Sequence, residues 1–173
     1  MCRKSPEIRA WPRFLLGETM RLIALVTLLW VVNAFGATFV VEDESLIPLP
    51  SEVTAGIARF QKDMPTNYQD QPCKFIGKAV ALRDSDPNVD WVATTADACS
   101  WAASAAPVWV LVKLPNGQYQ VALFHVTYDL TVGSGSQNGL RHIATSRATA
   151  ARREDQLWKF DGKVYQLSKM KVQ

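Results

Sequence analysis

The stretch "PVWVLVKLPNGQYQVALFHV", residues 107–126, decides the fold. Its first part, 107–114, is the most apolar run outside the N-terminal region and predicts a central strand. Pro-Asn-Gly at 115–117 is a hairpin turn signal, so 118–126 is expected to return as an antiparallel partner. This hairpin predicts an antiparallel sheet built around residues 107–126.

A helix is predicted before the hairpin, over "SEVTAGIARFQKDM" at 51–64. Ser51 suits the N-cap, Glu52 suits the positive end of the helix, and Pro65 stops it. Apolar residues recur at spacings of four, three and four and draw one stripe along the helix: Val53, Ile57, Phe60 and Met64. We expect this stripe to pack on the sheet.

The other apolar runs predict short strands on either side of the hairpin. They lie at 74–82, 90–95, 128–132 and 140–145, with a last hairpin that bends at Asp161-Gly162. The run "GSGSQNG" at 133–139 is predicted to be a flexible loop. The pattern indicates an α+β fold, one N-terminal helix on a mostly antiparallel sheet of about five to seven strands in a β-meander.

The N-terminal residues have the three parts of a secretory signal peptide. Arg21 is followed by an apolar core at 22–32 and then by small residues, so residues 1–36 are expected to be removed before Ala37. Met20 is an alternative start. An uncleaved anchor over 22–41 is the competing interpretation, and a membrane contact is expected only in that case.

The expected cleavage leaves an extended, loosely held segment at 37–50 and a single α+β domain at 51–170. The whole chain has 19 Lys+Arg and 16 Asp+Glu, but residues 1–36 hold five of the basic and two of the acidic residues. The remaining chain therefore has 14 of each and is formally neutral. This balance gives no support for nucleic-acid binding, and no basic helix with interleaved aromatics is present.

Two cysteines, Cys73 and Cys99, follow the predicted signal peptide. An even pair in an exported chain is most simply a disulfide, and the pair lacks the CxxC spacing of metal or redox sites. The bridge would close a loop of 25 intervening residues and contribute on the order of 3 kcal/mol. A structural disulfide in an oxidising compartment, periplasmic or secreted, is the prediction.

Oxygen-bearing side chains occupy alternate positions of "RDSDPNVDW", 83–91, as in a calcium loop: Asp84, Asp86, Asn88 and Asp90. The glycine that gives such a loop its sharp turn is replaced by Val89, and the closing glutamate by Thr95. A weak calcium site is one interpretation. The favoured alternative is a structural turn, with each side chain capping a local backbone amide.

The order of motifs resembles that of a group of small exported bacterial proteins whose activity is unknown. The resemblance covers about residues 78–167 and is carried by "VALRDSDPNVDWV", a cysteine, "APVWVLVK", "YQVAL", "NGLRHI" and "LWKFDGKVY". Its acidic strand–loop–strand element is similar to the repeat loop of FG-GAP and VCBS proteins, and its C-terminal hairpin carries FDG and a tyrosine. The resemblance implies an exported address, a fold type and an association of the acidic loop with calcium.

Candidate catalytic groups are few, and no catalytic residue is assigned. His125 lies in an apolar strand and is expected to be a half-buried structural residue. The serines of 133–139 lack the strand-to-helix context of a nucleophile elbow. Asp84 and Asp90 would be the first candidates for a carboxylate pair in a hydrolase, although nothing in the sequence selects them.

Tryptophans are the remaining candidates for recognition. Trp91 and Trp109 are expected in the core, whereas Trp101, in a small-residue loop after Cys99, is expected to be exposed and available for binding. We therefore expect a non-catalytic envelope protein without a required cofactor that binds a protein partner in the periplasm, as an inhibitor or immunity factor for a cell-wall-acting protein would. The alternatives are a calcium-stabilised structural envelope module and a hydrolase that uses Asp84 and Asp90.

Overall fold

The computed structural model describes residues 37–64, 73–86, 89–103 and 105–173. The predicted signal peptide at 1–36, the alternative start at Met20 and the candidate ligand Asn88 lie outside these residues. Gly36–Gln173 form one compact unit.

Within the described residues the chain forms one helix and ten strands. The helix, α1, is Ser51–Lys62. The strands are β1 (Thr38–Val40), β2 (Ile47–Pro48), β3 (Phe75–Val80), β4 (Asp90–Thr95), β5 (Ala106–Lys113), β6 (Tyr119–Thr127), β7 (Asp129–Gln137), β8 (Leu140–Ala148), β9 (Arg153–Phe160) and β10 (Tyr165–Val172).

The strands form two five-stranded sheets in which all neighbours are antiparallel. The inner sheet has the order β2-β3-β4-β5-β6, and the outer sheet has the order β1-β7-β8-β9-β10. The predicted α+β class with a mostly antiparallel meander is confirmed. The strands are divided between two sheets, however, where a single sheet was expected.

The division into two sheets occurs at Tyr128, the one residue between β6 and β7. The hydroxyl of Thr127 donates to the carbonyl of Ser146 at 2.7 Å, and the backbone amide of Tyr128 donates to the same carbonyl at 3.0 Å. Ser146 belongs to β8, so these two bonds direct the chain from β5 toward a new partner strand. Thr127 is 1% exposed, so the corner is part of the interior.

Strand β5 is the centre of the fold, because both of its faces are covered. Val108 and Val110 belong to the core between the two sheets. Trp109 and Leu111 belong to a second core between the inner sheet and α1. Burial of one such aliphatic side chain contributes about 1.5–3 kcal/mol. The fold therefore has three layers, the helix, the inner sheet and the outer sheet, and the predicted central position of 107–114 is confirmed.

Helix α1 packs three of the four predicted stripe residues on the inner sheet, whereas Met64 lies beyond the end of the helix at Lys62. Val53 and Ile57 are fully buried, and the rings of Phe60 and Phe124 are 5.9 Å apart. A Cβ at Gly56 would lie 2.8 Å from the backbone oxygen of Tyr119, so glycine permits the close approach of helix and sheet.

The expected N-cap at Ser51 is wrong. Pro50 occupies the cap position, with no side-chain cap bond, and Ser51 is the first helical residue. The Ser51 hydroxyl instead bonds to Glu52. Pro50 contributes through its backbone, because its carbonyl accepts from the amides of Val53 and Thr54.

The glycine-rich run at 133–139 is not the flexible loop that its composition predicts. Residues 133–137 extend β7, and only Asn138 and Gly139 form the turn, with φ of 51° and 83°. A Cβ at Gly135 would lie 2.7 Å from His142 Nδ1 of the paired strand. The glycine therefore leaves room for a neighbouring side chain, and its role is packing.

The segment 37–50 is also better held than expected. Phe39 and Val41 are 0% and 2% exposed and belong to the core between the sheets. Phe39 lies opposite Leu130 in the pairing of β1 with β7. Lys78 of the inner sheet donates to the carbonyl of Thr38 at 2.6 Å. Two short strands and a buried phenylalanine replace the loose segment.

The predicted disulfide is present. It joins Cys73, just before β3, to Cys99 in the loop after β4, with a Cα–Cα distance of 5.8 Å. The hairpin turn at 115–117 and the bend at Asp161-Gly162 are also where they were predicted, with Gly117 and Gly162 in positive φ. Helix α1, the one helix in the described ranges, is not long and apolar enough to span a membrane.

Candidate functional site

The loop that follows β4 holds Trp101 in a defined position. Asp97, Ala98 and Ser100 have positive φ values of 54°, 53° and 65°, a conformation that non-glycine residues adopt at a cost. The Thr95 hydroxyl donates to the carbonyl of Cys99, and the indole Nε1 of Trp101 donates to Thr95 Oγ1 at 3.0 Å. The disulfide and these bonds fix the loop to the inner sheet.

Trp101 is half-buried, whereas the sequence suggested that it is exposed. Trp109 is 4% exposed, as expected for a core residue, and Trp91 is half-buried against the core beneath α1. The prediction that Trp101 is accessible for binding therefore applies to part of its surface. That surface lines a cavity.

We call this cavity the aromatic pocket. It has a volume of about 260 Å³ and lies between the end of α1, the strands of the inner sheet and the disulfide loop. None of the described lining residues is charged, and they are Gln61, Met64, Cys73, Phe75, Thr95, Ser100, Trp101, Pro107, Trp109, Phe124 and Val126.

Three rings from three strands form one wall of the aromatic pocket. The ring of Phe75 meets that of Trp109 edge-on, at 5.3 Å and 87°, and the ring of Phe124 lies 5.3 Å from Trp109 on the other side. Such tilted and edge-on contacts are favourable for aromatic pairs. The wall is therefore a packed and pre-formed surface.

One lining residue of the aromatic pocket, Trp109, has an unused hydrogen-bond donor that is itself buried. The indole Nε1 of Trp109 is buried and has no partner among the described residues. A buried donor without an acceptor costs about 1–3 kcal/mol. Apolar walls and neutral polar groups are suited to an uncharged, largely apolar group, because an isolated charge would lose its hydration there without gaining a partner.

The acidic loop has a different construction. Asp90 is 0% exposed, and its carboxylate accepts from Arg83 at 3.1 and 3.0 Å and from the backbone amide of Lys113 at 2.9 Å. Burial raises the pKa of Asp90 above its usual value, against the lowering effects of the Lys113 amide and Arg83. The side chain ties β4 to the end of β5.

Two other candidate calcium ligands, Asp84 and Asp86, are exposed to solvent. The Asp84 side chain is 75% exposed and accepts from Arg141 Nε at 3.0 Å, and Asp86 is exposed. The structure thus gives Asp84 and Asp90 separate arginine partners. In the described part of the chain no group of three or more His, Cys, Asp or Glu side chains could hold a metal ion.

His125 is half-buried, as predicted, and faces the outer sheet. Its ring lies 4.9 Å from that of Trp158. Burial lowers the pKa of His125, and the charge of Arg147 lowers it further. A half-buried ring that packs at a tilt of 58° against an indole fits a structural role.

The sequence singled out Trp101 but missed most of the aromatic pocket. Gln61 lies at the end of α1 and Met64 two residues beyond it, and Phe75 and Phe124 belong to strands that precede and follow the Trp101 loop. The sequence signal for this pocket was the predicted hairpin at 115–117, which brings β5 and β6 together. A bulge between Val110 and Leu111 shifts the register, however, so the turn alone does not predict that Trp109 lies opposite Phe124.

No match emerges when the chain is compared with models of protein families, with curated proteins or with solved structures. The resemblance to exported bacterial proteins with an acidic strand–loop–strand element therefore stays a prediction.

Proposed function

We propose that this chain is an exported, non-catalytic binding protein of the cell envelope that engages another protein, as an inhibitor or immunity factor for a cell-wall-acting enzyme would. The aromatic pocket beside Trp101 is the observation that carries the proposal. It is concave, its described lining residues carry no charge, and rings line one wall.

The dimensions of the aromatic pocket suit one large side chain of a partner. A volume of about 260 Å³ is small beside the cavities that hold drug-sized ligands. Interface energy is concentrated where an aromatic or aliphatic anchor enters a desolvated pocket.

Rigidity of the surrounding loop also supports binding. The disulfide, the strained residues around Ala98 and the bond from Trp101 to Thr95 hold the pocket wall before any partner arrives. A pre-formed site loses less conformational entropy on association.

The partners of the acidic residues support a binding role over catalysis. A hydrolytic carboxylate pair needs two groups that face one substrate. Here the Asp90 carboxylate is enclosed and bound to Arg83, and Asp84 is bound to Arg141. No observation favours the hydrolase or the calcium-stabilised module, which stay as alternatives.

Two features support the exported address. The N-terminal residues have the pattern of a signal peptide, and a disulfide is typical of oxidising compartments. Cell fractionation of the epitope-tagged full chain, with thiol alkylation under native conditions, tests this part. Recovery in the cytoplasm with both Cys73 and Cys99 alkylated would refute it.

A charge placed at the aromatic pocket tests the binding role. We expect the wild-type protein to bind and inhibit at least one member of a panel of purified peptidoglycan hydrolases, measured by surface-immobilised binding and by turbidity of cell-wall suspensions. Gln61→Lys, at the pocket lining, should weaken this binding at least about tenfold, because the partner's apolar group would have to desolvate an ammonium.

Ala58→Lys is the matched control. It adds the same charge to the same helix at an exposed position one turn earlier, away from the pocket lining. It should leave both binding and inhibition unchanged. If no hydrolase binds the wild-type protein, or if both variants bind equally well, the proposed function is wrong.

A further inference from the structure

The edge strand β10 of the outer sheet differs from the two short edge strands, β1 and β2, and from the largely buried edge strand β6. It is eight residues long, and only Tyr165 is buried. By contrast, β1 has three residues, and β2 has two, one of which is Pro48. Short strands and proline are usual ways of blunting a sheet edge, and β10 lacks both.

The backbone of β10 has unused hydrogen-bonding groups at regular intervals. Arg153 and Gln173 exchange both of their backbone bonds, at 3.0 and 2.9 Å. Pairs with and without such bonds alternate along antiparallel strands. The amides and carbonyls of Met170 and Val172 therefore point away from β9, toward the open edge.

The side chains of β10 divide into two faces. Leu167, Met170 and Val172 lie opposite Trp158, Gln156 and Glu154, and they are 47%, 51% and 47% exposed. A bulge at residue 168 keeps these three side chains on one face. We call them the β10 strip. They are three of the five large hydrophobic side chains that are most exposed in the described part of the chain.

The opposite face of β10 is basic. Lys169 and Lys171 alternate with the β10 strip, and neither forms an ion pair with a described residue. Lys171 lies opposite Asp155, but that carboxylate accepts from Arg153 at 2.9 Å. The edge therefore presents apolar side chains on one face and uncompensated positive charge on the other.

We propose that β10 is a docking edge for an extended segment of a partner polypeptide in which apolar residues alternate with acidic ones. Such a segment would add a sixth strand to the outer sheet through the free groups of Met170 and Val172. Its apolar side chains would cover the β10 strip, and its carboxylates would meet Lys169 and Lys171. This surface is separate from the aromatic pocket.

A second copy of this chain is a poorer occupant. Pairing of β10 with another β10 would place lysines of one copy beside lysines of the other, and like charges on neighbouring strands are destabilising. Charge complementarity therefore selects an acidic segment.

The test uses two synthetic peptides, one alternating valine with glutamate and one alternating valine with lysine, each with a fluorescent label. The wild-type full chain should bind the glutamate peptide, as followed by fluorescence anisotropy. The double variant Lys169→Glu/Lys171→Glu should weaken that binding about tenfold and should bind the lysine peptide instead.

Val172→Pro tests the backbone contribution. It removes an amide that points to the open edge, so it should weaken peptide binding while the melting temperature stays close to that of the wild-type protein.

The proposal is overturned if the glutamate peptide does not bind, or if the charge-reversed variant binds it equally well. A wild-type dimer that dissociates in the Val172→Pro variant would also overturn it, in favour of self-pairing. Gln61→Lys should leave peptide binding intact, so the test of the β10 edge is independent of the test of the aromatic pocket.

Discussion

Strands β5 and β10 are both eight residues long, and among the strands of that length or more they are the two extremes of burial. Seven residues of β5 are buried, whereas seven residues of β10 are exposed. Strand β5 lies between two layers that cover both of its faces. Strand β10 pairs with β9 on one side only, at the edge of the outer sheet.

The difference indicates where the stability of the molecule resides, and it separates that region from the edge that we propose for recognition. Apolar burial is concentrated along the inner sheet, so most of the free energy of unfolding is expected to depend on it. The outer edge contributes little burial, so substitutions there are expected to cost little stability. Three predictions test this contrast, in order of decreasing effect.

The largest effect is expected from truncation of a leucine in each strand. Leu111→Ala removes a fully buried side chain from β5 and should lower the free energy of unfolding by about 2–5 kcal/mol. Leu167→Ala, in β10, should change it by no more than about 0.5 kcal/mol, because that side chain is already half-exposed. Urea titration of both variants measures the difference. Equal losses would show that the outer edge is as important for stability as the centre.

A glycine in each sheet gives a second, smaller contrast. A Cβ at Gly77 of β3 would lie 2.3 Å from the carbonyl oxygen of Val92, so Gly77→Ala should cost about 1–3 kcal/mol. Gly133→Ala, in β7, meets its nearest atom at 3.4 Å and should be close to neutral. Thermal unfolding followed by circular dichroism compares the two. An unchanged melting temperature for Gly77→Ala would mean that β3 and β4 can move apart without a loss of stability.

The smallest effect concerns the ion pair that connects the two sheets. Asp43, between β1 and β2, accepts from Lys78 of β3 at 3.0 Å. Hydrogen bonds from Ser45, and then from Lys78, lower the pKa of Asp43 from 3.8 to about 2. A lowered pKa stabilises the folded state above the ordinary value, and this gain is lost as the pH falls toward the lowered one.

We therefore expect Asp43→Asn to melt slightly below the wild-type protein at neutral pH. The difference should be constant above about pH 5 and should disappear between about pH 4 and pH 2. Melting curves across this range provide the measurement. A difference that grows as the pH falls would contradict the assigned direction of the pKa.

Local patterns were sufficient to predict much of the inner layers. The apolar stripe of α1 and the strands around 115–117 were recognisable because each side-chain pattern follows the geometry of one element. Strand β4 has the predicted bounds, Asp90–Thr95. The cysteine pair was equally accessible, since it depended on composition and compartment.

The remaining features depend on contacts between distant segments. The aromatic pocket combines the end of α1 with strands and a loop that lie far apart in the chain, and only Trp101 suggested it. The burial of Asp90 depends on Lys113, and the extension of β7 through Gly135 depends on His142. No periodicity within one segment reports such contacts.

The pairing of β1 with β7 has a consequence for the order of folding events during the export that we propose. Phe39 is buried opposite Leu130, about 90 residues later in the chain. A chain that emerges from a translocon with its N-terminus first must hold Phe39 without this partner until most of the sequence has followed. The inner sheet has no such delay, because its neighbouring strands are consecutive in the chain. If the chain is exported as proposed, closure of the outer sheet by its earliest strand is thus a late event, because it waits until β7 has followed.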